Sequence, residues 1–162
     1  MTGGRQDPAL VEVRAHLADE AATLAWGGKI AALLEPGLLV SLSGELGSGK
    51  TTLARGVLRG LGYRGKVKSP TYTLVELYKL SRLDLYHFDL YRFNDPQELL
   101  DAGFRDNFGG GNICLVEWPE RAAGLLPQAD LKISLIAERA GRRLTIVTGT
   151  EPGRHCLKKL EI

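Results

Sequence analysis

Residues 44–51 read Gly-Glu-Leu-Gly-Ser-Gly-Lys-Thr, which matches in full the phosphate-binding pattern G-x-x-x-x-G-K-[ST]. The apolar run before it, 37–43, favours a buried parallel strand, and the pattern over 51–61 indicates a helix that ends at Gly62. This segment, here called the P-loop, therefore has the strand and the helix that its chemistry requires. Such an arrangement is typical of an α/β fold.

The glycines of the P-loop predict a site for phosphates. Gly44, Gly47 and Gly49 lack side chains, so backbone N–H groups can close around a phosphate while the helix N-terminus adds partial positive charge. Lys50 would reach the β- and γ-phosphate oxygens of a nucleotide, and Thr51 is placed to give its hydroxyl to Mg²⁺. A glycine-rich turn that binds nothing is the alternative, and the flanking strand and helix disfavour it.

Length and composition bound the rest of the chain. The 162 residues, 44% hydrophobic and 25% charged, predict one compact domain over 1–162, with 1–8 and 151–162 as peripheral tails. A net charge of +2 lacks the strongly basic balance that would by itself indicate nucleic-acid binding. Cys114 and Cys156 lie far apart without a C-x-x-C pairing, so we expect both to be reduced and structural.

The sequence carries no sign of membrane targeting. Its N-terminus has no charged region followed by an apolar one, and no stretch is long and apolar enough to span a bilayer. We therefore expect a cytoplasmic protein without a membrane partner. Composition neither demands nor excludes RNA.

Strand-like and helix-like segments alternate along the chain, which is an α/β pattern. We predict a single P-loop NTPase domain with a mostly parallel central sheet, antiparallel hairpins and flanking helices. The predicted strands are 10–17 at a sheet edge, 37–43, 73–78, 83–89, 113–118, 131–137 and 144–148. Short connections predict one hairpin from the third and fourth of these strands and another from the last two.

Capping signals place the predicted helices. One helix follows Asp19, and the residues expected to share one of its faces are Ala21, Leu24, Ala25, Gly28, Ala31 and Ala32. Another follows the P-loop. A further short helix begins at Asp95, with Pro96 in its first turn and Glu98 at the capping-box position, and ends near 109–111.

A P-loop also needs acidic side chains, because Mg²⁺ held only by Thr51 and phosphate has no protein carboxylate on its outer face. Asp89 follows an aromatic strand and has the form of a Walker B aspartate, which reaches the metal directly or through water. Glu117 ends the apolar run 113–117, so its carboxylate would lie at the carboxyl edge of the sheet, where α/β proteins bind ligands. For either residue alone, a solvent-facing strand end is the alternative.

Three further residues near these segments have two interpretations. Thr71, in the Ser-Pro-Thr of 69–71, would contact the metal or the γ-phosphate as part of a sensing loop, or cap a proline-stiffened turn. We interpret His87, a lone histidine beside two aromatic residues, as structural. Trp118 belongs to the core or, being next to Glu117, lies near the phosphates.

These motifs together resemble one family. In order they are Gly-Glu-Leu-Gly-Ser-Gly-Lys-Thr-Thr from Gly44, Ser-Pro-Thr-Tyr-Thr-Leu-Val from Ser69, His-Phe-Asp-Leu-Tyr-Arg from His87 and Val-Glu-Trp-Pro-Glu from Val116. The set is similar to the TsaE (YjeE) family from 19–20 to 141–142, which is nearly the whole chain. Many proteins share the P-loop alone, whereas the ordered set at these separations is highly specific.

The resemblance implies a bacterial ATPase required for making threonylcarbamoyladenosine at position 37 of tRNAs that read codons beginning with A. In this family TsaD with TsaB transfers the threonylcarbamoyl group from an adenylate that TsaC makes. TsaE binds the TsaB–TsaD pair and hydrolyses ATP to sustain turnover. The implied cofactors are ATP and Mg²⁺, and the implied partners are TsaB and TsaD. Any contact with tRNA is expected to be indirect, and DNA is not expected as a partner. No arginine finger is obvious in the sequence, so Arg92 or a partner residue would supply one, and hydrolysis by the isolated protein should be slow.

The resemblance also assigns site residues by their positions in the motifs. The residues that it assigns to phosphate binding are Gly47, Ser48, Gly49, Lys50, Thr51 and Thr52. Thr51 and Glu117 match the Mg²⁺ positions, and Asp89 matches an acidic switch residue that is a further metal candidate. Glu20 and Arg142 match places near the nucleotide. Taking the residues and the resemblance together, we predict catalytic roles for Lys50, Thr71, Asp89 and Glu117.

Other functional classes would use the same P-loop. A small-molecule kinase is the main alternative, but it needs an acceptor pocket and usually an arginine-rich lid, and the short chain shows no lid insertion. A regulatory GTPase would need an N-K-x-D segment, which the sequence lacks. A scaffold that holds a nucleotide without turnover is a third possibility. Transfer of the γ-phosphate to a small acceptor would identify a kinase, and competition between ATP and GTP would test for a GTPase. Lack of turnover even with TsaB and TsaD would favour a scaffold.

Overall fold

The computed structural model of the protein describes residues 11–68, 70, 73–92, 94–95, 97–98 and 110–160. Its strands are β1 (Glu12–Leu17), β2 (Leu39–Ser43), β3 (Val75–Lys79), β4 (Asp84–Asp89), β5 (Asn112–Glu117), β6 (Leu131–Glu138) and β7 (Gly141–Thr148). Its helices are α1 (Glu20–Ala31), α2 (Lys50–Gly60) and α3 (Glu151–Leu157), with a 3₁₀ helix over Pro119–Ala122. Every predicted strand is present, with its ends shifted by a few residues.

The strands form one mixed sheet in the order β1-β7-β6-β2-β5-β4-β3. Neighbours are parallel among β6, β2, β5 and β4. The pairs β3–β4, β6–β7 and β1–β7 are antiparallel. The predicted α/β fold with a parallel centre and antiparallel hairpins is therefore confirmed. Because β2 lies between two parallel neighbours, the P-loop that follows it opens at the carboxyl edge of the central strands.

Apolar side chains fill both faces of the sheet. Successive residues of a strand point to opposite faces, and in β5 Ile113 and Leu115 join one apolar cluster while Cys114 and Val116 join another. The first cluster includes the buried apolar side chains of α1 and α2, among them Ile30, Leu53 and Leu58. Both cysteines are buried and free, as predicted. Burial raises the pKa of Cys114 to about 12, which makes its thiol inert.

The buried face of α1 differs from the predicted one. Its buried residues are Thr23, Gly27, Ile30 and Ala31, whereas Ala21, Ala25 and Ala32 are exposed and Leu24 and Gly28 are half-buried. The reason is close contact between α1 and α2, since a Cβ built on Gly27 would lie 2.6 Å from the Gly56 Cα. The two helix backbones meet at these glycines, so glycine positions decide which face is buried.

Replacing Gly27 by alanine should destabilise the protein through this contact. The added methyl group would meet backbone atoms of Gly56 and Val57 that cannot rotate away, and overpacking of this kind costs about 1–3 kcal/mol. Chemical denaturation followed by circular dichroism would measure the change in the free energy of unfolding.

Gly28→Ala is the matched control in the same helix. A Cβ there would have no atom of the described residues within 4 Å, so the substitution should raise the free energy of unfolding by about 0.5–1 kcal/mol through helix propensity alone. Equal effects at the two positions would show that the helices do not approach as closely as described.

Residues 151–157 are not the peripheral tail that the sequence suggested. They form α3, in which Cys156 and Leu157 are buried as part of the main apolar cluster. The Thr150 hydroxyl accepts a hydrogen bond from the Gly153 N–H and donates one to Asp130, which fixes the start of the helix. Two apolar residues in a short polar stretch give too weak a period to be recognised as a helix. The other predicted tail, 1–8, lies outside the described residues.

The predicted capping box at Asp95 is present. The Glu98 carboxylate accepts from the Asp95 N–H at 3.2 Å, and the Asp95 carboxylate accepts from the Gln97 N–H at 3.0 Å. The predicted end of that helix near 109–111 falls mostly outside the described residues.

Candidate functional site

The P-loop has a backbone that requires glycine. Gly44 and Gly49 have φ values of +156° and +105°, and a Cβ on Gly44 would lie 2.7 Å from the Leu135 carbonyl oxygen. Gly49 is the N-cap of α2, where no side chain makes a capping hydrogen bond. The first N–H groups of α2 therefore remain available to an anion, and the helix dipole favours negative charge there.

Lys50 lies buried under this loop, with 6% of its surface exposed. Its ammonium donates to the carbonyl oxygens of Gly44 and Glu45 and lies 4.5 Å from the centroid of the Trp118 ring. Burial lowers the pKa of Lys50, against the opposing effect of the Glu117 and Asp89 carboxylates. The charge is thus held close to the two acidic candidates.

Asp89 and Glu117 end adjacent parallel strands in register with each other. Their exposures are only 6% and 3%, so the solvent-facing alternative is wrong for both residues. The Asp89 carboxylate accepts from the Tyr91 N–H at 3.0 Å. Burial raises the pKa of Asp89, the Tyr91 hydrogen bond lowers it, and the neighbouring Glu117 charge adds to the rise.

The carboxylate of Glu117 contacts His87. The distance from His87 Nε2 to Glu117 Oε2 is 2.6 Å, and His87 is fully buried. The sequence alone indicated only a packed histidine, because the pairing depends on the parallel register of β4 and β5.

One cavity of about 490 Å³ is lined by the predicted metal residues and by every predicted phosphate-binding residue except Ser48. It is lined by Leu46, Gly47, Gly49, Lys50, Thr51, Thr52, Asp89, Tyr91, Arg92, Glu117 and Trp118. The hydroxyl of Thr51 and the two carboxylates are oxygen donors, the type that Mg²⁺ prefers, and protein sites usually give this ion one or two carboxylates beside substrate phosphates. The residues present therefore fit the expected ion.

Sequence reasoning assigned no role to Tyr91 in this cavity and left Trp118 open between core and site. Tyr91 and Trp118 pack with ring centroids 4.9 Å apart, so together they form an aromatic wall beside Lys50. Trp118 has a φ of +58°, a left-handed conformation that is unusual for tryptophan and that turns the chain directly after Glu117. Thr71, the remaining predicted catalytic residue, lies outside the described residues.

A second cavity of about 260 Å³ lies on the other side of the P-loop. Glu20 and Arg142 both line it, together with Gly47 and Ser48. Arg142 donates to the carbonyl oxygens of Ser48 at 2.9 Å and Gly47 at 3.0 Å. The two cavities share Gly47, Gly49 and Thr52, so a ligand could extend from one to the other along the loop.

Comparison with known proteins shows the family of this chain. The family model described as threonylcarbamoyl adenosine biosynthesis protein TsaE matches residues 17–145. The chain belongs to the TsaE family. Among its relatives, tRNA threonylcarbamoyladenosine biosynthesis protein TsaE of Haemophilus influenzae is 44% identical over 147 residues, covering 88% of this chain and 93% of that protein. The TsaE protein of Bacillus subtilis is 42% identical over 123 residues, covering 76% and 75%.

The crystal structure of Bacillus subtilis YdiB shares the TsaE fold described above. It matches with a TM-score of 0.81 at 30% sequence identity, covering 93% of this chain and 95% of that one. Among the residues that the structure describes, no helix has the length and apolar character needed to cross a membrane.

Proposed function

We propose that this TsaE protein binds ATP with Mg²⁺ and hydrolyses it. The hydrolysis would support formation of N6-threonylcarbamoyladenosine at position 37 of tRNAs that read codons beginning with A, in concert with TsaB and TsaD. The observation that carries the proposal is the cavity in which buried Lys50, Asp89 and Glu117 meet Thr51 at the start of α2. Membership of a family named for this modification supports the tRNA part.

Phosphate binding follows from the P-loop and Lys50. The ammonium of Lys50 now bonds to neutral carbonyl oxygens of the loop. A triphosphate carries full negative charges, and the attraction of the Lys50 ammonium to these is stronger than its attraction to neutral carbonyl dipoles, so a bound triphosphate would draw Lys50 away from these carbonyls. Trp118 would then remain as an apolar wall that limits access of water to the transferred group.

The acidic pair would complete the site. Glu117 and Thr51 are the residues that would hold Mg²⁺, which when bound neutralises charge on the β- and γ-phosphates. Asp89 would orient the attacking water, and its raised pKa, caused by burial, suits a group that accepts a proton for part of the reaction. Arg92 and Lys50 are the cationic side chains among the described residues that line the cavity.

Mg²⁺ titration should separate the roles of the two carboxylates. Glu117→Gln removes a charged ligand, and interactions with charged groups contribute about 1.5–3 kcal/mol, so its Mg²⁺ midpoint for ATP hydrolysis should rise by about tenfold or more. Asp89→Asn should lower the maximal rate and shift the midpoint less. Phosphate release is measured across the Mg²⁺ titration, with ATP and with GTP as substrate, and it gives both the Mg²⁺ midpoint and the maximal rate.

Glu120→Gln is the control, because it removes an exposed negative charge that also acts on Lys50. Its midpoint should stay close to that of the unaltered protein. Equal midpoints for the Glu117 and Asp89 variants would contradict the division of roles, and label passing from ATP to a small acceptor would indicate a kinase instead.

A further inference from the structure

The buried contact between His87 and Glu117 is not explained by packing alone. Both side chains are almost wholly inaccessible, and their Nε2 and Oε2 atoms lie 2.6 Å apart. In the parallel register His87 lies opposite Leu115, so Glu117 is its diagonal neighbour on the same face of the sheet. A polar pair of this kind costs free energy to bury unless its hydrogen bonding is satisfied.

Hydrogen bonding decides the form of the imidazole. The His87 Nδ1 atom is buried and has no hydrogen-bond partner among the residues that the structure describes, so a proton there would be an unsatisfied buried donor. If Nε2 were the unprotonated nitrogen, its lone pair would face the carboxylate oxygen at 2.6 Å, which is repulsive. The neutral form with its proton on Nε2 avoids both problems and donates to Glu117.

We propose that His87 is a positioning residue that fixes the orientation of the Glu117 carboxylate in the nucleotide site. The inference rests on the proposed function, in which Glu117 holds Mg²⁺. With Oε2 bound to His87, rotation of the carboxylate is restricted and the other oxygen remains for the ion. Partners of this kind behind a ligating carboxylate typically change metal affinity or activity by about 10–100-fold when they are removed.

Two substitutions distinguish a positioned donor from mere filling of space. The amide nitrogen of glutamine can occupy the place of Nε2, whereas that of asparagine falls nearer to Nδ1. The His87→Gln variant should therefore keep a Mg²⁺ affinity close to that of the unaltered protein, and His87→Asn should weaken it by about 10–100-fold. Calorimetric titration of Mg²⁺ into the ADP-bound protein measures this without any turnover.

A spectroscopic test addresses the hydrogen bond itself in the nucleotide-free protein. Long-range ¹H–¹⁵N correlation spectra of imidazole should show His87 protonated at Nε2, and Glu117→Gln should shift that signal. His16→Gln is the matched control, since His16 makes a 2.7 Å contact with the Glu138 carboxylate on the exposed surface. The His16→Gln variant should leave the Mg²⁺ affinity unchanged.

The outcomes separate this proposal from the function on which it rests. Failure of the unaltered protein to bind Mg²⁺ with nucleotide would count against the proposed function, whatever the spectra show. Normal Mg²⁺ binding by both His87 variants, equal losses in both, or a proton on Nδ1 would each overturn the role of His87 and leave the proposed function standing. If either variant fails to fold, the spectra of the unaltered protein decide.

Discussion

Replacing Lys50 by alanine should weaken ATP binding by about 10- to 100-fold and lower the rate of hydrolysis by a further factor of about 10²–10³. Hydrogen bonds to charged groups contribute about 1.5–3 kcal/mol to binding, which sets the first figure. The second figure, for the rate, is the loss typical of removing one preorganised hydrogen-bond donor that faces developing charge in the transition state. Calorimetry with ATP and steady-state phosphate release measure the two effects.

Lys29→Ala is a close control for this substitution. The Lys29 ammonium lies 4.6 Å from the centroid of the Trp26 ring, nearly the same cation–π distance as between Lys50 and Trp118, but Lys29 lies on the exposed face of α1. Its loss should leave ATP affinity unchanged. A folded Lys50→Ala protein with normal ATP affinity would refute the assignment of the P-loop as a nucleotide site.

The other large effect concerns partners. TsaB and TsaD together should raise ATP turnover, because the described lining of the cavity offers Arg92 at an exposed rim but no arginine buried against the acidic pair. Supplying a cationic group in trans is worth about 10³–10⁵ in rate in other nucleotide hydrolases. An increase that approaches this range is expected only when both partners are present.

The measurement is the rate of phosphate release from ATP in four mixtures: the protein alone, the protein with each partner separately, and the protein with both partners. The Asp89→Asn variant in the complete mixture reveals any contaminating ATPase. A rate that stays the same in all mixtures would show that hydrolysis is not coupled to these partners. Omitting the protein from a full modification mixture with TsaC, threonine, bicarbonate and unmodified tRNA then asks whether repeated turnover depends on it.

The fold could be predicted from the sequence where a local pattern and its structural cause coincide. The P-loop motif dictates a strand before it and a helix after it, and the apolar runs of β2 and β5 indicate buried parallel strands. The acidic residues at the ends of β4 and β5 were found because strand ends meet at one edge of the sheet. All of these inferences use residues that are close together in the chain.

The features that could not be predicted depend on contacts between distant segments. The buried face of α1 is set by the approach of Gly27 to Gly56, which no helical periodicity reveals. The contact of His87 with Glu117 requires the register of two strands that are far apart in sequence. The helix α3 has too weak an apolar period to be recognised, and the Asp130 carboxylate that holds its N-cap Thr150 lies well before it in the chain.

If the P-loop binds nucleotide as proposed, Arg142 gives the antiparallel side of the sheet a part in that binding. Its two bonds to P-loop carbonyls join β7 to a loop that follows β2, so the loop conformation and the pairing of β7 are thermodynamically linked. A ligand that binds one conformation of the P-loop more tightly must then also stabilise the pairing of β7, the strand that carries Arg142. Under the proposed function, sequence changes in the β6–β7 hairpin should therefore alter nucleotide affinity without touching the nucleotide.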